Sequence, residues 1–181
     1  METWLRDNEH GIKTLATILA AIFALIQYFD HLNGNRVEQT LEFYKRFSSE
    51  PVYSARLGIS KTWETLWPEI IKIPTPNNDD EKKINRKEWK KLVITKLTND
   101  AIIISQTDTL FDFFSALQVC IENDICDKTS AVELLQGSAK GFIENNCPYV
   151  AYMRYDRKSK QFGEKAATFA GKPCSVEIFK N

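Results

Sequence analysis

The chain reads as an all-α protein, with one N-terminal transmembrane helix followed by a helical-bundle domain. Three observations predict this. An uncharged apolar run extends from Thr14 to Phe29, close to the start of the chain. Beyond it, apolar residues recur at spacings of three and four, and no useful length of strand-like alternation is present. Seven glycines and six prolines among 181 residues leave few interruptions. The expected division is 1–31, an N-terminal segment and transmembrane helix, and 32–181, a helical cytosolic domain. A hydrophobic content of 43% and a charged content of 27% fit one ordinary domain with a real core.

The apolar run decides the class. With Lys13 snorkelling toward headgroups, Gly11 to Phe29 comes close to the ~20 residues that cross a bilayer. A signal peptide is disfavoured because Glu2, Asp7 and Glu9 offset Arg6 and Lys13, and no A-x-A site follows. The stronger rival is a buried core helix, but such helices in small domains usually carry a charged edge. On a helix, Lys13, Thr17, Ala20, Ala24, Gln27 and His31 share one stripe, a candidate pore lining or helix contact. Ile18, Ile22, Leu25 and Phe29 lie on one flank of it, and Leu15, Leu19, Phe23 and Ile26 on the other. An amide such as Gln27 needs a partner in hydrocarbon, which favours self-association.

Orientation follows from flanking charge. Arg6 and Lys13 precede the run, while Arg36, Lys45 and Arg46 follow it, giving a narrow positive-inside bias for a cytosolic C-terminal domain. Cys120, Cys126, Cys147 and Cys174 show neither C-x-x-C nor zinc-finger spacing, so free thiols in a reducing compartment are expected.

In the body, Asn33-Gly34-Asn35 is expected to break the first helix. A second helix from Arg36 to Ser48 then presents Val37, Leu41 and Tyr44, with Phe43 and Phe47 beside them. Ser49-Glu50-Pro51, with Ser49 as the expected N-cap, restarts a helix that carries Val52, Ile59, Trp63 and Trp67, with Pro68 ending or kinking it. Pro74 to Asp80 is a loop by composition. A basic helix runs to about Leu97, and a long one from Asp100 to Asn123. Asp127 or Thr129 caps a short helix ending at Gly137, and another follows from Ser138 to about Lys158, kinked at Pro148. A last helix spans Phe162 to Ala170 and ends at Gly171. Residues 174–181 stay unassigned.

Two surface patches are candidate anion sites. Lys82, Lys83, Arg86, Lys87, Lys90 and Lys91 form two neighbouring rows of one helix, suited to phosphates of RNA or lipid, or to solvation alone. Tyr149, Tyr152 and Tyr155 interleave with Arg154, Arg157, Lys158 and Lys160, a pattern able to stack on bases or simply to pack. Formal net charge is zero, so no global bias toward nucleic acid exists.

Catalysis lacks its parts. The two histidines, His10 and His31, flank the apolar run, and no nucleophile–base pair or metal-ligand cluster is visible. The chain is therefore expected to be no enzyme and to need no cofactor and no metal.

The apolar helix followed by RVEQTLEFYKRFSSEPVYSARLGISKTWE, and later by DTLFDFFSALQVCIENDICDKTSAVELL, resembles small bacterial single-pass membrane proteins with a helical cytosolic domain. In layout it also looks like the membrane-pore accessory protein of type VI-B CRISPR systems. That resemblance implies a bacterial inner-membrane location, a degenerate HEPN-like domain, and a homo-oligomeric pore supporting antiviral defence. The HEPN motif R-x4-6-H is absent, since Arg6-x3-His10 is one residue short, so pore formation and not RNA cleavage is implied. The expected function is an oligomeric pore or membrane-perturbing assembly. The rivals are a membrane-tethered module for RNA or a nucleotide signal, and a passive scaffold for a partner protein of a defence system. Membrane lipid and other copies of the chain are the expected partners.

Overall fold

The computed structural model describes residues 9–74 and 79–174, with the side chains of 9–12, 79, 80, 82, 83 and 86 left aside. Among the described residues the protein is 82% helical and contains no strands. Helix α1 spans Glu9–Phe47, α2 Val52–Ile70, α3 Asp79–Thr98 and α4 Ala101–Glu122. Helix α5 spans Lys128–Ala131 and passes through a π-helical turn, Val132–Gln136, into α6, Gly137–Tyr155; α7 is Glu164–Ala170.

Helix α1 corrects the expected break. Its 39 residues run through Asn33-Gly34-Asn35 without interruption. An isolated helical glycine costs only about 1 kcal/mol relative to alanine, and no proline follows to stop the helix. The Asn35 amide lies 3.3 Å from His31 Nε2 across one turn. The face expected to pack is also revised. Val37, Leu41 and Tyr44 are each about two-fifths exposed, whereas Thr40 and Phe47 are buried and Phe43 is half-buried.

The second half of α1 docks on the domain through Phe47, whose ring lies 5.5 Å from Phe113 and 5.9 Å from Phe114. Helix α4 is the centre of the bundle, packed between α2 and α7. Its length has a clear start and stop. The Asp100 carboxylate accepts the Ile102 N–H at 2.8 Å, and Asn123 closes the other end. Leu110, Phe111, Phe114 and Leu117 recur at helical spacing and are at most 2% exposed. Phe111 reaches Phe142 at 4.8 Å and Phe162 at 5.0 Å, and Phe114 reaches Phe169 at 6.2 Å. Aromatic pairs at these separations favour offset or tilted geometry, which ties α4 to α6 and α7.

Several expected boundaries move. Ser49 does not act as a side-chain cap; Pro51 precedes α2, after a cis Glu50-Pro51 bond. Pro68 lies inside α2 instead of ending it. The backbone of Asp79 and Asp80 is helical, while 75–78 and 175–181 lie outside the described residues. Gly137 ends nothing, because the chain passes through the π-helical turn directly into α6. Gly163, at φ 70°, turns the chain into α7, and Gly171, at φ 63°, ends it as expected.

The expectation of free thiols is overturned. Cys120 pairs with Cys126, and Cys147 with Cys174, leaving no free cysteine among the described residues. One pair clips the turn after α4 and the other joins α6 to the segment after α7. These spacings match no common framework, so the pairing becomes visible only when the helices are assembled.

Candidate functional site

The first candidate is the free half of α1. Every residue from 13 to 31 is exposed, Phe23 to 62% and Leu19 to 58%. A core helix would bury one face, so the buried-core rival is excluded within this chain. One N-terminal helix is long and apolar enough to cross a membrane. On the small and polar stripe, the Thr17 hydroxyl donates to the Lys13 carbonyl at 2.9 Å. Among the described residues no hydrogen bond involves the Gln27 side chain. Ala20 and Ala24 complete the stripe, and His31 lies at its domain end beside Asn35.

The basic helix, α3, is divided by the fold. Lys87 and Lys91 are exposed, but Lys90 is buried at 5% and turned into the bundle. The side chains of Lys82, Lys83 and Arg86 lie outside the described residues. The aromatic and basic stretch of α6 is likewise dispersed. Arg154 donates from Nε to the Phe162 carbonyl at 2.8 Å, holding the turn before α7. Tyr149 is fully buried and its hydroxyl donates to Asp108 at 2.8 Å, whereas Tyr155 is exposed. Burial pushes the Asp108 carboxyl up; the Tyr149 hydrogen bond opposes this and the Asp112 charge adds to it. Burial, then the Asp108 contact, raises the Tyr149 hydroxyl. Arg157 lines a second cavity with these two residues, and Lys158 is exposed at φ 57°. No continuous stacking platform results. Trp67, 60% exposed, is available for contact outside the chain.

A different site emerges where α2, α4 and α6 meet. A cavity of about 430 Å³ opens there, within the range of small-molecule sites. Five aromatic residues, Phe47, Tyr53, Trp63, Phe114 and Phe142, belong to its lining. Two buried polar atoms without hydrogen-bond partners belong to residues that line it: Trp63 Nε1, a donor, and Asn146 Oδ1, an acceptor. The Asn146 amide orientation is set by its own Nδ2, which donates to the Phe142 carbonyl at 2.8 Å. Burying such groups unpaired costs about 1–3 kcal/mol each.

Arg56 supplies the charge. Its guanidinium sits 3.9 Å over the Phe47 ring and donates to the Phe47 carbonyl at 3.1 Å. No Asp or Glu lines the cavity. The open wall is made by Gly137 and Gly141, one turn apart on α6. A Cβ at either would meet nothing within 4 Å. Gly137 has ordinary helical dihedrals, with φ −59° and ψ −43°, so conformation does not require glycine there. Each glycine in a helix interior costs about 1 kcal/mol relative to alanine. The π-helical turn that ends at Gln136 adjoins this wall, and such turns often mark functional sites.

Sequence reasoning passed over this cavity. Its one legible signal is the pair Gly137 and Gly141, four residues apart within a helical pattern, of which Gly137 alone reads as a helix end. Comparison with family models, with curated proteins and with solved structures finds no match.

Proposed function

We propose that the chain is a single-pass membrane protein that assembles with other copies through its N-terminal helix and carries its helical domain at the membrane surface. One observation carries this reading: residues 13 to 31 are wholly exposed on a helix that continues unbroken into the domain. Exposed apolar surface of that extent needs lipid or another chain to cover it. The continuity also argues against a removable leader, because the same helix supplies Phe47 to the core. Gln27 within hydrocarbon is best partnered by the same residue of a neighbouring copy. In a ring of such helices, Ala20, Ala24 and Gln27 face the centre, and a conducting lumen is the form this assembly takes.

The two disulfides support a domain on the oxidising side of the membrane, since disulfides are rare where glutathione keeps thiols reduced. They weigh more than the flanking charges, whose bias toward a cytosolic domain rests on one residue. Sealed vesicles of known orientation, treated with protease, test this. The domain should be cleaved only from the face equivalent to the cell exterior or lumen; cleavage only from the cytosolic face overturns it. Carbonate-washed membranes should retain the protein, and recovery in the soluble fraction overturns the membrane reading. Liposomes carrying the protein should leak ions, and tight liposomes remove the pore from the proposal.

A further inference from the structure

We propose that the second cavity, where α4 and α6 meet the turn between α6 and α7, binds a small zwitterion: a free α-amino acid with an apolar side chain. The cavity measures about 370 Å³, within the range of small-molecule sites. Asp108 and Arg157 are the only charged residues in its lining, one of each sign, and no ion pair joins them. Arg157 is exposed and makes no hydrogen bond or ion pair with any described residue. Asp108 commits one carboxylate oxygen, Oδ1, to the Tyr149 hydroxyl at 2.8 Å. Its other oxygen, Oδ2, has no partner and is open to solvent. A carboxylate with a spare oxygen accepts from an ammonium, and a guanidinium with its N–H groups free donates to a carboxylate. An α-amino acid carries both groups on one carbon. A simple anion or a simple cation would leave one side of the cavity unanswered.

The fold holds both charges in place. Tyr149 is fully buried, so its hydrogen bond fixes the Asp108 carboxylate against α6. The turn that carries Arg157 is tied at two points. Arg154 Nε donates to the Phe162 carbonyl at 2.8 Å, and the Ser159 amide donates to the Met153 carbonyl at 3.2 Å. Arg154 is thus spent on the turn itself, while Arg157, three residues on, is left for a ligand. Burial pushes the Asp108 carboxyl up and the Asp112 charge adds to this, against the Tyr149 bond; a ligand ammonium favours the ionised carboxylate and offsets both. Ile104 and Met153 supply apolar surface for the side chain of the ligand. This inference concerns the helical domain and stands or falls apart from the membrane reading.

The test titrates the full chain in detergent with L-leucine by calorimetry at neutral pH. Wild type should bind it with Kd about 1 mM or tighter. N-acetyl-L-leucine lacks the ammonium and L-leucinamide lacks the carboxylate, so each should bind at least about tenfold more weakly. Arg157→Gln removes an exposed, unpaired group, so it should melt as wild type does. It should bind L-leucine at least about tenfold more weakly and no longer prefer it to L-leucinamide. Asp108→Asn keeps an acceptor for the Tyr149 hydroxyl and should no longer prefer L-leucine to N-acetyl-L-leucine. If Asp108→Asn melts well below wild type, Arg157→Gln and the two analogues decide the matter alone. Absence of L-leucine binding to wild type overturns the proposal. So does binding by Arg157→Gln at wild-type strength, or equal binding of L-leucine and its two analogues.

Discussion

Thr40 and Asp127, 87 residues apart in sequence, share a hydrogen bond in which the Asp127 amide donates to the Thr40 hydroxyl oxygen at 2.9 Å. Thr40 is fully buried, and its hydroxyl donates in turn to the Arg36 carbonyl at 3.0 Å. The long N-terminal helix is thereby fixed to the turn that the Cys120–Cys126 disulfide closes.

Thr40→Val keeps the shape and removes the acceptor. The Asp127 amide retains a weaker partner, the Arg36 carbonyl at 3.2 Å, so the loss is partial. A destabilisation of about 1 kcal/mol is expected, read as roughly fivefold faster hydrogen exchange at the Asp127 amide. Exchange unchanged from wild type would show that the hydroxyl does not anchor the joint.

Asp127 also caps α5, accepting the Ser130 N–H at 2.8 Å. That bond, ahead of the more distant Arg36 charge, holds its carboxyl below the ordinary carboxylate value. A lowered carboxyl stabilises the fold fully above its unfolded value, about pH 4, and that contribution is lost as pH falls through the lowered value. Asp127→Asn caps without titrating. Its stability should therefore fall less than wild type's between about pH 4 and pH 2, measured by denaturant unfolding. Parallel curves would contradict the assignment.

Gly163 lies at φ 70°, and a Cβ there would stand 3.2 Å from both Phe111 and Val150. Gly163→Ala should cost about 2 kcal/mol through left-handed backbone strain and crowding. Thermal unfolding checks it. A variant as stable as wild type would mean that the turn before α7 is wrongly placed.

The Cys147–Cys174 pair closes the chain across α6 and α7, with a sequence separation of 27. Replacing both with serine should cost about 3–4 kcal/mol on the chain-entropy account. Intact-mass measurement before and after reduction should show two disulfides in the native protein. Four reactive thiols under non-reducing conditions would overturn both the pairing and the oxidising-side placement.

Much of the architecture was legible because its signals are local. The uncharged run, the Asp127 cap, the apolar spacing of α4 and the Gly171 stop each act within a turn or two. What failed depends on tertiary context. Gly34 read as a breaker, but a single glycine in a long helix carries too small a cost to end it. Gly137 read as a terminus for the same reason, while the π-helical turn before it has no sequence signature. Val37, Leu41 and Tyr44 look like a buried face, yet the domain meets α1 along Thr40 and Phe47, and local periodicity could not choose between adjacent stripes. Lys90 is one of six cations of a basic face by spacing and is buried by the packing of α3. The cavity was hidden because its lining residues, such as Trp63 and Asn146, are far apart in sequence and unremarkable until α2 and α6 face each other.

The most direct test of the assembly is the size of the full chain in mild detergent, wild type against the Ala20→Leu, Ala24→Leu double variant. Both residues are exposed, so the substitution leaves the domain core untouched. Bulk on the small stripe should keep the helix apolar while pushing neighbouring helices apart. Wild type should run as an oligomer and the variant as a smaller species. A monomeric wild type, or a variant of the same oligomeric size, would contradict it.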